Sequence, residues 1–481
     1  MEQKPPVYRH NYRKLLSNTL TLTVGSIVSK ILVFFLVPLY TYCLSTADFG
    51  VADLITNTAN FLIPCASLGI TGAVFRFAAD RVSDRNKVFS SGFCLLIIVS
   101  AVFLLLSPVL YLVPFFNGKA WLIVLYVLTA NLHAICSQYL RAEGKMRFFA
   151  VQGIFNTISV IVLNLLFLLV FKWGIVGYVL SVVISDLTTA LLIFFSDEQY
   201  RALRLDAIDA TLIRSMLKYS IPLIPATIFW WITNVSDRYL VTAICGESVN
   251  GIYSVAYKIP TILTLLSGAF IDAWQLSSVA DRRSPRQTAD FFTNVYRYFI
   301  AIMFPATAVL IPMSKPLSAI LFADAYYGAW EYMPFLICSS LFLSLTSFLG
   351  SVYIVRKKTV LSFWTSLFGA AVNIVLNIIL IPRFGAMGAA FATFISYAAS
   401  YVLRALTTKK FLPFCQYPLP IAIGTILLLI ETAIVLLEPP LWWLWAILSV
   451  IPTIILFFQP FCEGVVRLIR MLKRKKKEKN S

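Results

Sequence analysis

Long apolar stretches recur along the whole chain, and no other feature constrains its fold so tightly. A helix crossing the hydrocarbon core of a bilayer needs about 20 mostly apolar residues. Fourteen stretches meet that need, at about 17–43, 51–75, 88–114, 120–140, 148–171, 174–196, 219–244, 250–280, 288–321, 330–355, 359–381, 386–406, 417–437 and 441–461. They are long and continuous, whereas barrel strands would be about ten residues and alternating, so helices are expected. Of the 481 residues only 13% are charged and 59% are hydrophobic, with a mean hydropathy of +0.82. Soluble domains carry about 25% charged residues. Soluble multidomain enzymes, disordered chains and secreted disulfide scaffolds are excluded on that ground. The first apolar run is too long for the core of a cleavable signal peptide. The expectation is an all-α integral membrane protein.

The basic residues orient the spans. Lys and Arg collect on the cytoplasmic side of membrane proteins. With the N-terminus inside, 32 of the 40 Lys and Arg fall on inner segments. Only Lys119, Lys172, Lys315 and Arg383 fall on outer ends, and Lys30, Arg238, Lys258 and Arg297 lie within spans. Both termini are therefore expected in the cytoplasm. The same pattern accounts for the net charge of +18 without nucleic acid. The basic tail from Arg467 to Lys479 suits anionic lipid headgroups.

The chain also repeats itself. Val162-Leu163-Asn164 precedes Lys172-Trp173-Gly174-Ile175-Val176-Gly177 and then Ser185; Val375-Leu376-Asn377 precedes Arg383-Phe384-Gly385-Ala386-Met387-Gly388 and then Ser396. The offset is 211 residues at the glycines, with a two-residue gap in the preceding span. A weaker match pairs Leu39, Thr41 and Gly50 with Leu240, Thr242 and Gly251. Six spans separate the copies, so both enter the membrane from the same side as parallel repeats. Transporters of this type bind substrate between their halves. The expected organisation is a six-helix lobe over 1–213, a second over 214–412, two accessory helices over 413–466, and a cytoplasmic tail over 467–481.

Several spans carry polar residues at spacing 3 or 4, which lines one helix face. Examples are Asp53, Asn57 and Asn60; Gln152, Asn156 and Ser159; Asn234, Asp237 and Arg238; and Ser362, Ser366, Gly369 and Asn373. Ser, Thr and Gly at such positions serve helix packing first. The charges ask for more, because a charge at the bilayer centre costs about 2.5–3.5 kcal/mol and faces a wet cavity or a partner. Lys30, Arg76, Arg238, Lys258 and Arg297 spread from the inner to the outer side and are the candidate substrate-binding residues. A ladder of cations suits an anionic substrate, especially a phosphate. The competing reading pairs each cation with a neighbouring acid, as Arg238 with Asp237. Asp186, Asp237 and Asp272 are candidates for coupling to protons or sodium ions. His133 reads as a packed, hydrogen-bonded residue before it reads as a proton relay. The last two spans carry one acid, Glu431, and no stripe.

No constellation for covalent chemistry occurs: Walker-type loops, HExxH and GxSxG are absent from the sequence. The eight cysteines are scattered without metal-ligand or disulfide spacing. No catalytic residue, metal site or cofactor is expected. The longest loop, about 197–218, is cytoplasmic and has the Leu/Ile spacing of a surface helix.

Together, four stretches resemble the oligosaccharide flippases of bacterial polysaccharide biosynthesis. They are Leu68-Gly69-Ile70 with Arg76-Phe77; Gln138-Tyr139-Leu140-Arg141 with Gly144-Lys145; Tyr219-Ser220-Ile221-Pro222 running to Ser236-Asp237-Arg238; and Gly251-Ile252-Tyr253 through Lys258-Ile259-Pro260 to Trp274-Gln275. These O-antigen and capsule-unit translocases belong to the multidrug/oligosaccharidyl-lipid/polysaccharide exporter superfamily. The resemblance implies MATE-like, V-shaped lobes around a cationic cavity. It implies a polyprenyl-pyrophosphate-linked oligosaccharide as cargo, moved to the outer leaflet of a bacterial cytoplasmic membrane without ATP, with membrane lipids and polysaccharide polymerase machinery as partners. Lipid II flippases are similar more distantly; Lys30 stands where they carry a basic residue, and Phe35, Leu36 and Val37 stand where their Arg-Asp pair would be. The alternatives are a cation-coupled multidrug exporter of the same superfamily and a membrane glycan polymerase or ligase.

Overall fold

The computed structural model describes residues 31–480 apart from 33, 81–83, 117, 280–284 and 357, and these are helical with no strand among them. The chain divides into two compact units, Met1–Gly251 and Ile252–Ser481. The lobe boundary expected at 213/214 comes from the repeat; the span that follows it packs within the first unit.

In the first unit the helices are α1 (Val37–Cys43), α2 (Thr46–Ala66), α3 (Ile70–Ala78), α4 (Arg85–Leu106), α5 (Ala120–Ala142), α6 (Met146–Leu165), α7 (Gly174–Ser196), α8 (Ala210–Ser220) and α9 (Ile224–Cys245). The short α10 (Glu247–Ala256) ends this unit and begins the next. Ser45 caps α2 by accepting from the Asp48 N–H at 3.1 Å, and Asp48 in the first turn complements the helix dipole. Leu68 and Gly69, both at positive φ, end that helix, and α3 leaves it at a bend of 53°. Two apolar layers hold the unit. One packs Ile70, Phe89, Tyr139, Ile193 and Met216 at the end where α5 and α7 finish. The other packs Leu54, Ile55, Leu122, Val127 and Val179 toward the opposite end.

The loop expected to hold a surface helix does so. Asp209 caps α8 by accepting from the N–H groups of Thr211 and Leu212, and Met216 is buried under it. Ser90 and Ser91 on α4 stitch the segment down through Ala202, Arg204 and Asp209.

The second unit contains α11 (Thr261–Val279), α12 (Pro285–Leu310), α13 (Ser314–Leu321), α14 (Met333–Val355), α15 (Thr359–Lys409), α16 (Pro418–Leu437) and α17 (Trp442–Asn480). α12 and α13 form a second bent pair, at 64°. Eight helices are long and apolar enough to cross a membrane, or ten with the two bent pairs. The longest, α15, turns at Gly385 (φ 59°, ψ −144°), so its 51 residues hold the two spans expected at 359–381 and 386–406. The more polar α9 and α11 coincide with the spans expected at 219–244 and 250–280. The first expected span is described only from residue 31 onward.

The repeat is visible in the backbone. Gly174 and Gly385 both take positive φ, 56° and 59°, at the turn between consecutive spans. Three residues on, a Cβ at Gly177 would press on Phe167, and one at Gly388 would clash with the Leu380 carbonyl at 2.6 Å. Phe167 and Leu380 are themselves equivalent once the two-residue gap is counted. That gap falls beside a π-helical turn at Leu166–Val170, which inserts extra backbone before the hairpin in the first copy only. Asn164 and Asn377 are both fully buried and each bonds to the residue four positions back, Val160 and Asn373.

Candidate functional site

Each unit has a polar interior built from the stripes. In the first unit, Asp53 on α2 faces α9. Both of its carboxylate oxygens accept from Nη1 of Arg238 at 2.9 Å, and Asn57 one turn on donates to Oδ2 at 3.0 Å. The side chains are 6% and 13% exposed, so the pair is nearly out of solvent. Trp231 donates its indole N–H to the Asn57 carbonyl, and Tyr239 meets Thr58 at 2.5 Å, which aligns α9 along α2. Asp237 is buried and accepts from the Arg238 backbone N–H. Arg238 therefore pairs across helices with Asp53 on α2.

A second cluster joins α5, α6 and α7. His133 Nδ1 lies 3.0 Å from Asp186 Oδ1, and its Nε2 lies 2.9 Å from Gln152 Oε1. Asn156 donates to the same Asp186 oxygen at 2.9 Å and to Thr189, while Ser185 donates to the Asn156 carbonyl.

In the second unit Asn373 donates to Thr393 and Ser396, and Asn377 continues the ladder. Arg404 is buried, donating to Thr365, Ser366 and the Thr346 carbonyl. Arg297 pairs with Glu463 on α17 at 2.9 Å. Lys315 pairs with Glu438 and sits between the rings of Trp330 and Trp442, 4.1 and 4.6 Å from their centres. Glu431 on α16 is fully buried, and neither of its carboxyl oxygens meets a hydrogen-bond partner among the described residues.

Of the remaining candidates, Arg76 is exposed in the last turn of α3, and Lys258 is half-buried at the break between α10 and α11. Lys30 and the side chain of Asp272 lie outside the described residues. Among the described residues no three side chains form a metal-binding group. Beyond the spans, Lys145 bridges Glu143 and Asp197 at 2.9 and 2.5 Å. Burial pushes the Glu143 carboxyl up, and Asp197 beside it adds to the rise. Two features escaped the sequence. Arg404 reads as a cytoplasmic flank because Lys409 and Lys410 follow it, yet it lies inside α15. The His133 cluster draws on three helices; His133, Asp186 and the Gln152/Asn156 stripe are each legible in the sequence, and their meeting is not.

The sequence matches the model of the polysaccharide biosynthesis protein family over residues 15–274, more than half of its length. The chain belongs to that family. Its many apolar helices make it a multi-pass membrane protein. An uncharacterised membrane protein of Methanocaldococcus jannaschii is 23% identical over 81% of this chain and 96% of its own length. The probable low-salt glycan biosynthesis flippase Agl15 of Haloferax volcanii is 24% identical over 41% of this chain and 42% of its own. The probable lipid II flippase MurJ of Thermotoga maritima is 29% identical over 32% and 36%. Among solved structures, a lipid II flippase MurJ in an inward closed conformation superposes with a TM-score of 0.69 at 18% identity, covering 92% of this chain and 99% of that one. An inward-facing MATE family multidrug transporter gives 0.65 at 12% identity, covering 79% and 95%. These likenesses establish the fold.

Proposed function

We propose that this protein flips a polyprenyl-pyrophosphate-linked oligosaccharide from the inner to the outer leaflet of a bacterial cytoplasmic membrane, supplying polysaccharide biosynthesis. The observation that carries the reading is the family match over residues 15–274. The relatives named as flippases of glycan precursors support it in the same direction. The drug-exporter alternative has only the shared fold on its side.

The cargo's pyrophosphate meets basic residues, and Lys30, Arg76, Arg238, Lys258 and Arg297 are assigned to it. Arg238 and Arg297 are engaged with Asp53 and Glu463. At those two a phosphate would have to compete with the carboxylates. Both termini are assigned to the cytoplasm, and transport to rocking of residues 1–213 against 214–412. The polar headgroup crosses between them while the polyprenyl tail stays in lipid beside α16 and α17. Asp186, Asp237 and Asp272 remain the candidates for coupling to an ion gradient, and polysaccharide polymerases the partners that consume the product.

The test is made in the protein's own host. Lys30→Ala should abolish surface polysaccharide while the protein level stays normal. Normal polysaccharide from a Lys30→Ala, Arg76→Ala, Lys258→Ala triple variant would remove these residues from the site.

A further inference from the structure

The hydrogen-bond pattern around His133 counts protons. Gln152 donates its amide N–H₂ to the Phe149 carbonyl at 3.0 Å and to Ser137 at 3.3 Å. A backbone carbonyl can only accept, so the amide cannot be flipped, and its oxygen Oε1 must face His133. An amide oxygen also only accepts. The His133 Nε2, 2.9 Å away, must therefore carry a hydrogen. On the other side of the ring, Nδ1 lies 3.0 Å from Asp186 Oδ1, an oxygen that also accepts from Asn156. One hydrogen must lie between Nδ1 and that oxygen, on one atom or the other. Either way the pair holds one proton more than a carboxylate beside a neutral imidazole. Without it, one of the ring's two contacts would set a lone pair against a lone pair.

The pair lies at mid-membrane. His133 is 13 residues into the 23-residue α5, and Asp186 is 12 residues into the 23-residue α7. At 1.5 Å per residue each is roughly 13–20 Å from either helix end. The side chains are 19% and 13% exposed, so the site is not sealed. The other titratable or charged groups on the helices packed around it are few. Tyr126, Cys136 and Tyr139 lie on α5, Tyr178 on α7, Cys65 on α2 and Cys94 on α4. Asp53 on α2 is paired with Arg238. Arg76 ends α3, Arg85 and Lys87 start α4, Arg147 lies in the first turn of α6, and Arg141, Glu143 and Lys145 close α5.

We propose that the His133–Asp186 pair carries the coupling proton, which makes the transporter proton-driven. The assignment rests on the transport function proposed above. With the proton the pair is neutral and ties α5, α6 and α7 together through Gln152 and Asn156. Without it the pair is −1 and the Gln152 contact turns repulsive, so those helices must repack or admit water. Proton loss is thereby linked to a change in packing, which is what a coupled conformational cycle requires. One proton enters from the aqueous phase on one side and leaves to the other per cycle, with no bond made or broken elsewhere.

The chain has only two histidines, His10 and His133, so the site can be read directly. In purified full-length protein carrying His10→Gln, with ¹⁵N-labelled histidine in lipid nanodiscs, the His133 signals at pH 7 should show Nε2 protonated and Nδ1 protonated or strongly hydrogen-bonded. They should move in a single titration step that Asp186→Asn displaces. A neutral imidazole with Nε2 unprotonated across pH 6–8 would overturn the proposal. In vesicles, translocation of a fluorescent polyprenyl-pyrophosphate-linked disaccharide should respond to an imposed pH gradient by up to about tenfold per pH unit, the factor one proton per cycle allows. His133→Gln and Asp186→Asn should bring the ratio of rates with and without the gradient to unity. Translocation that ignores a pH gradient, or answers a sodium gradient instead, overturns proton coupling and leaves the flippase reading standing. If no translocation occurs, the flippase reading fails, and the histidine spectra alone decide whether the pair binds the proton.

Discussion

Arg238 and Asp53 stand 185 residues apart in sequence and meet in the membrane interior of the first unit. Breaking such a buried pair by removing one partner leaves an uncompensated charge and costs about 3–5 kcal/mol. Arg238→Ala should therefore lower the thermal midpoint of the purified protein sharply. An Asp53→Leu, Arg238→Met double variant, which removes both charges, should recover most of the loss; no recovery would mean that shape rather than charge sets the cost. Glu431 is the opposite case. Its carboxyl is buried without a hydrogen-bond partner among the described residues, so Glu431→Leu should raise stability by about 1–3 kcal/mol, read as an upward shift of the same midpoint. The sequence shows that these charges lie in spans, because charge stands out against an apolar background. It does not show their partners: Arg238 has an acid beside it in the chain, yet its side chain crosses to another helix, since consecutive residues on a helix point apart. His133 is legible only as a histidine in a span. Its meaning depends on which way one amide on another helix is turned.

At the scale of elements, the spans are legible almost throughout, since bilayer thickness fixes their length and the apolar runs meet it. The breaks are less so. The bends after Ala66 and Leu310 interrupt runs that read as single spans, while the turn at Gly385 falls where the repeat puts it. Two glycine roles follow. Gly385 takes a left-handed φ that any Cβ resists, so Gly385→Ala should cost about 1–2 kcal/mol, and Gly174→Ala a similar amount, in chemical unfolding. The weaker half of the repeat carries a contact of its own. A Cβ at Gly50 would overlap the Glu247 carbonyl, and one at Gly251 would overlap that of Thr46, so equivalent residues of the two copies meet reciprocally where α2 and α10 begin. Asn250 adds a bond to the Gly50 carbonyl at 3.2 Å. Gly251→Val should force this crossing apart at a cost of about 1–3 kcal/mol. A variant as stable as the parent would show that the close approach is not needed.

For the whole molecule, the proposed account, a transporter that carries a polar headgroup across the membrane, rests on the parallel repeat, the polar interior of each unit and the membership of the polysaccharide biosynthesis family. Family and fold were legible in the sequence because loose motifs spread over the chain add up. The proposed cargo is legible only as a charge preference, since composition does not encode how side chains are arranged around a substrate. The central claim is tested most directly with purified protein in sealed vesicles containing a fluorescent polyprenyl-pyrophosphate-linked oligosaccharide in both leaflets. A membrane-impermeant reductant added outside bleaches the outer-leaflet label at once. The account predicts that the inner-leaflet label then bleaches too, at a rate that rises with the amount of protein and falls in Lys30→Ala. An inner-leaflet pool as protected as in protein-free vesicles would contradict it.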